Sequence, residues 1–125
     1  MKVRIKSIWP GILWLILSTI AFSIPGSALP KNNWLSKIHF DKWVHVGIFS
    51  VMVVLWCLPL LHRPLQKPLP RLVIQIAVGF FGYGILIELM QHYFISNRSF
   101  DGGDIAADAI GCLIGFLFMR TQWKG

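Results

Sequence analysis

Four apolar runs, separated by short polar or proline-rich stretches, dominate the chain. They cover residues 8–24, 43–61, 72–95 and 105–119. A helix needs roughly 20 apolar residues to cross a bilayer, so each run reads as a helical span. The fourth is short: counted from Asp104 to Met119 it rises about 24 Å, below the ~30 Å hydrocarbon thickness. Its ends therefore need support from neighbours or from local thinning. Pro25-Gly-Ser-Ala-Leu-Pro30 breaks the chain after the first run. Residues 31–40 are polar and dotted with aromatics, and predict a short interfacial segment between spans one and two. Residues 62–71 form the clearest loop, 96–103 a polar turn and 120–125 a basic tail. No internal repeat interrupts this order. The expected fold is all-α, an integral membrane four-helix bundle formed by one domain over residues 1–125.

Composition supports the membrane reading. The chain is 55% hydrophobic and only 14% charged, against about a quarter charged for a soluble domain. Its mean hydropathy is +0.63. The net charge of +7 would suggest nucleic acid in a soluble protein; here it reads as topology. Lys2, Arg4, Lys6, Arg63, Lys67, Arg71, Arg120 and Lys124 fall on one side of four crossing spans. Lys31, Lys37, Lys42 and Arg98 fall on the other. The positive-inside rule then puts both termini in the cytoplasm. All five acids, Asp41, Glu88, Asp101, Asp104 and Asp108, belong to the outer half or beyond it. A basic head before an apolar run also describes a secretory leader. The length of the run, Trp9, Trp14 and nearby Pro30 favour a retained span. Cys57 and Cys112 lie within apolar runs and read as small buried hydrophobes, not as a disulfide framework or zinc site.

The polar residues inside the spans form the candidate site. Asp41 and His45 are four apart and share a helix face, with Lys42 three from His45. Glu88, Gln91 and His92 share a face near the end of span three. Arg98 and Asp101 stand in the turn, and Asp104 and Asp108 enter span four on the face that continues as Gly111 and Gly115. The two glycines allow a neighbouring helix to approach closely. Plainer roles exist for several of these residues. Asp101 and Asp41 suit helix caps, and Asp104 suits the first turn where the dipole favours an anion. Lys42 suits a snorkelling anchor. His39 and His92 suit the interface, and His62 belongs to the loop. Glu88 and Asp108 resist such readings. Each lies inside an apolar run, where a lone charge costs about 2.5 kcal/mol or more and demands a partner.

Three blocks carry a resemblance. They are Asp41-Lys42-x-x-His45-x-x-x-Phe49, Glu88-x-x-Gln91, and Arg98-x-x-Asp101-x-x-Asp104-x-x-Ala107-Asp108-x-x-Gly111-x-x-x-Gly115. In this order, each at a helix end, they resemble the VanZ-like family of small membrane proteins over residues 41–115. The resemblance implies a multi-pass protein of the bacterial cytoplasmic (inner) membrane, with relatives that lower sensitivity to the glycopeptide teicoplanin. It implies Asp41, Lys42, His45, Glu88, Gln91, Arg98, Asp101 and Asp104 as the functional set. The family pattern usually has Asn where this chain has Asp108, so an ionised residue adds negative charge to the site.

Three functions compete. The first is a binder or transporter of an amphiphile: a lipid, a lipid-linked cell-wall intermediate or a lipoglycopeptide. Lys42 and Arg98 would hold an anionic headgroup and the tail would lie beside Gly111 and Gly115. The second is a metal-dependent membrane hydrolase or transferase, with Asp101, Asp104, Asp108 and Glu88 as oxygen ligands and His45 as base. No His-Glu-x-x-His, Cys-x-x-Cys or serine-nucleophile motif supports it. The third is a structural partner in a membrane complex. The first is the expectation, without a catalytic role, cofactor or nucleic-acid partner.

Overall fold

The computed structural model describes residues 5–24, 40–62, 64, 68–95 and 102–124, with the side chains of residues 40, 41 and 124 excepted. The break at 25–30, most of the 31–40 segment, Arg98, Asp101 and the Asp41 side chain lie outside the described residues. Helix α1 is Trp9–Phe22, α2 is Phe40–Cys57, α3 is Leu69–Phe94 and α4 is Gly102–Lys124. A 3-10 segment, Leu58–His62, extends α2. Pro59 explains the change of winding: it has no N–H to give, so an α-helical bond is lost there. Proline near the start of α1 and of α3 is harmless, because the first-turn N–H groups have no helical partner. Helix α3 thus begins at Leu69, three residues before the apolar run at 72.

Two expectations on span length need correction. Helix α4 does not stop at Met119; it runs 23 residues, to Lys124, about 34 Å at helical rise. The basic tail is its last turn. Buried Met119 and Gln122, and Trp123 packed edge-on against Phe116 at 5.9 Å, hold that turn to the bundle. The fourth span is therefore long enough to cross without help. Helix α1, in contrast, has 14 residues, about 21 Å. Three helices, Lys42–His62 with its 3-10 end, Leu69–Phe94 and Gly102–Trp123, are long and apolar enough to cross a membrane; α1 is a shorter apolar helix.

The bundle is inverted relative to a soluble protein. Its buried residues include Ser18, His45, Glu88, Gln91, Asp104, Asp108 and Gln122. Its exposed residues include Leu13, Ile16, Leu17, Val78, Leu86 and Leu113. In water this would forfeit apolar burial and charge hydration together; in lipid it satisfies both. The chain is an all-α membrane protein.

Helices α2 and α4 form the most extensive contact, and α3 packs next on α4. Small residues explain the α2–α4 approach. A Cβ at Gly111 would stand 2.6 Å from the Val46 carbonyl oxygen, and one at Gly115 2.8 Å from the Val53 Cβ. Ser50 Oγ donates to the Val46 carbonyl at 2.8 Å and lies 3.0 Å from the Gly111 carbonyl, at the same crossing. The G-x-x-x-G pair is thus occupied within the chain.

Helix α1 is held by hydrogen bonds as much as by packing. Trp56 Nε1 donates to the Gly11 carbonyl at 3.0 Å, and Trp14 Nε1 to the Ile48 carbonyl at 3.1 Å. Thr19 Oγ1 and the Tyr83 hydroxyl are 2.6 Å apart. Gln91 Nε2 donates to the Phe22 carbonyl at 3.0 Å, satisfying an orphan carbonyl at the C-terminus of α1. Interhelical hydrogen bonds in membranes average about 0.6 kcal/mol each. Together they fix the register of a helix too short to be positioned by lipid alone.

Candidate functional site

The antiparallel packing gathers the start of α2, the end of α3, the start of α4 and the end of α1 at one end of the bundle. His45, Glu88 and Asp108 each lie five or six residues inside their helix termini, about 8–9 Å along the axis. The site is therefore set back from the helix ends and roofed by residues nearer them.

His45 is the hub. Its Nδ1 is 2.7 Å from Asp108 Oδ1, and its Nε2 is 3.7 Å from Asp104 Oδ2. With Asp108 ionised the carboxylate only accepts, and Nδ1–H is the donor. The imidazole packs beside two rings that also touch each other, with centroids 4.9 Å from Phe22 and 6.4 Å from Phe49, and those two 6.2 Å apart. These rings fix its plane. Asp104 splits its oxygens: Oδ1 accepts from Lys42 Nζ at 3.3 Å, while Oδ2 faces His45. The Lys42 side chain is 29% exposed and marks the rim of the cluster. His45, Glu88, Asp104 and Asp108 are buried behind it.

Asp108 packs against α3 through Gly84. A Cβ at Gly84 would collide with the Asp108 carboxylate and stand 3.1 Å from the Phe49 ring. The other Asp108 oxygen, Oδ2, is buried with no hydrogen-bond partner among the described residues. Three acids and one imidazole from three helices thus share one small volume. His45, Glu88 and Asp104 each offer a ligand atom, all within 4.8 Å of one another.

This geometry joins Lys42, His45, Glu88, Asp104 and Asp108 in one cluster. It turns Gln91 toward α1, as a strut. Asp108 faces His45, and the set with metal-ligand spacing contains His45 instead of Asp108. Arg98, Asp101 and the Asp41 side chain are outside the described residues. Gly84, Phe22 and Tyr83 were not legible as site residues in the sequence. A single Gly in an apolar run has no signature, and neither Phe22 nor Tyr83 stands in a polar spacing that marks a site.

A family model described as VanZ/LLP1 matches residues 8–123. The chain belongs to the VanZ/LLP1 family. The match takes in all four helices, so α1 is part of the VanZ/LLP1 unit as well as the three longer helices. Comparison with curated proteins and with solved structures returns no match.

Proposed function

We propose that this VanZ/LLP1 protein binds or moves an amphiphile of the bacterial cytoplasmic membrane, with its site opening outward. Both termini are then cytoplasmic. The ligand is a lipid, a lipid-linked cell-wall intermediate or a lipoglycopeptide such as teicoplanin. Its headgroup meets the cluster at Lys42, and its tail lies along the bundle. The observation that carries this reading is an open apolar groove of about 340 Å³ between α3 and α4, the helices that carry Glu88, Asp104 and Asp108. Phe81 and Cys112 line the groove, one helical turn from Gly84 and Asp108 respectively. A ligand polar at one end and apolar at the other fits both surfaces at once. Pockets for such ligands are mostly apolar with a few convergent polar groups. Lys42 stands where an anionic headgroup meets it before the buried carboxylates, and an ammonium suits a solvated, flexible contact of this kind.

Native mass spectrometry of protein extracted in a mild detergent tests the proposal. The wild type is expected to retain a specific amphiphile. Lys42→Gln, at the half-exposed rim, is expected to lose it while keeping its helicity. Retention of the same adducts in both proteins would overturn the proposal.

A further inference from the structure

We propose that His45, Glu88 and Asp104 hold a divalent first-row metal ion, zinc or manganese, with Asp108 orienting the imidazole. The ligand atoms of the first three residues already lie within 4.8 Å of one another. Two ligands of a tetrahedral zinc ion stand about 3.4 Å apart, given bonds of about 2.0–2.2 Å. His45 Nε2 and Asp104 Oδ2 are 3.7 Å apart, too far to be hydrogen-bonded and close to the spacing of two ligands on one ion.

The imidazole supplies an independent observation. Its Nδ1–H is committed to Asp108 at 2.7 Å, which in the neutral ring leaves the Nε2 lone pair directed toward Asp104. Metal-ligating histidines regularly donate their second ring N–H to a carboxylate, which fixes tautomer and orientation. Asp108 is thus a positioning residue. Its Oδ2, fully buried and without a hydrogen-bond partner among the described residues, lies against Gly84 of α3. One imidazole and two carboxylates suit zinc or manganese better than the soft-ligand metals. Three protein ligands leave a coordination position open, and a headgroup oxygen or water fills it. The ion does not depend on the amphiphile reading, because the protein alone supplies its ligands.

The test uses detergent-purified full chain stripped with a chelator and then titrated with zinc and with manganese. Binding is read by calorimetry and by elemental analysis after dialysis. The wild type is expected to take up one equivalent and to unfold at a higher temperature when loaded, since a ligand that binds only the folded form stabilises it. Glu88→Gln and Asp104→Asn are expected to lower affinity more than 100-fold. Asp108→Asn is expected to lower it 10–100-fold, the size of an orienting partner. Stripped wild type that binds neither ion and shows no thermal shift would overturn the proposal. So would binding unchanged in Glu88→Gln and Asp104→Asn, which would place the metal on exposed groups such as His62 or His92. If those variants fail to fold, uptake and thermal shift in the wild type decide the question.

Discussion

Replacing Gly111 by Ala adds one methyl at the tightest point of the α2–α4 crossing. The new Cβ would stand 2.6 Å from the Val46 carbonyl oxygen and 2.9 Å from the Phe49 Cβ. Ordinary van der Waals contact begins at 3.4 Å. Neither neighbour can swing away: one is backbone and the other is the root of a buried ring. The helices must therefore part by roughly the shortfall, about 0.8 Å. Overpacking of this kind costs about 1–3 kcal/mol. The separation also carries the Gly111 carbonyl away from Ser50 Oγ, now 3.0 Å distant, forfeiting about 0.6 kcal/mol more. The expected loss is about 2–4 kcal/mol. Gly82 is the matched control, because a Cβ there meets nothing within 4 Å. Gly82→Ala should be neutral, or stabilising by up to about 1 kcal/mol from helix propensity. Reversible unfolding in mixed detergent micelles, followed by circular dichroism, measures both. Equal stabilities of the two variants would refute the assigned crossing.

Other variants probe the cluster and the seat of α1. His45→Ala leaves Asp108 as an uncompensated buried charge and should cost about 3–5 kcal/mol. Adding Asp108→Asn removes that charge, so the double variant should be more stable than His45→Ala alone in the same unfolding assay. Tyr83→Phe deletes the hydrogen bond to Thr19 and should cost about 0.6 kcal/mol and no more than about 1.7. Lys42→Gln breaks an ion pair whose lysine is partly exposed. It should move the unfolding free energy by no more than about 1 kcal/mol. A larger loss would make Lys42 a structural residue instead of a rim contact.

Much of this architecture is written in the chain at short range. Apolar runs announce the helices, and the spacing of Asp104, Asp108, Gly111 and Gly115 announces the face that meets α2. The i, i+3 pair Lys42 and His45 and the buried Glu88 announce the cluster, because an acid in an apolar run needs company. What stays hidden is long-range or has no period. The ties of α1 run from indole, hydroxyl and amide groups to distant partners, and such bonds leave no spacing to read. The last turn of α4 reads as a tail because Arg120, Thr121 and Lys124 are polar. Gln122 and Met119, on its other side, bury against the bundle. Gly84 becomes meaningful only when Asp108 is seen lying against it. The orientation of the His45 ring depends on Phe22 and Phe49, which pack beside it from elsewhere in the chain.

The most direct test of the central claim is photo-crosslinking in the native membrane. A lipid with a diazirine in its acyl chain is fed to cells expressing the protein, and labelled peptides are mapped by mass spectrometry. Binding at the groove and cluster predicts label concentrated on Phe81, Ala109, Cys112 and Phe116, and several-fold weaker in Lys42→Gln. Label spread evenly between those residues and Leu13, Ile16 and Leu17 on the outward face of α1, unchanged by Lys42→Gln, would contradict it.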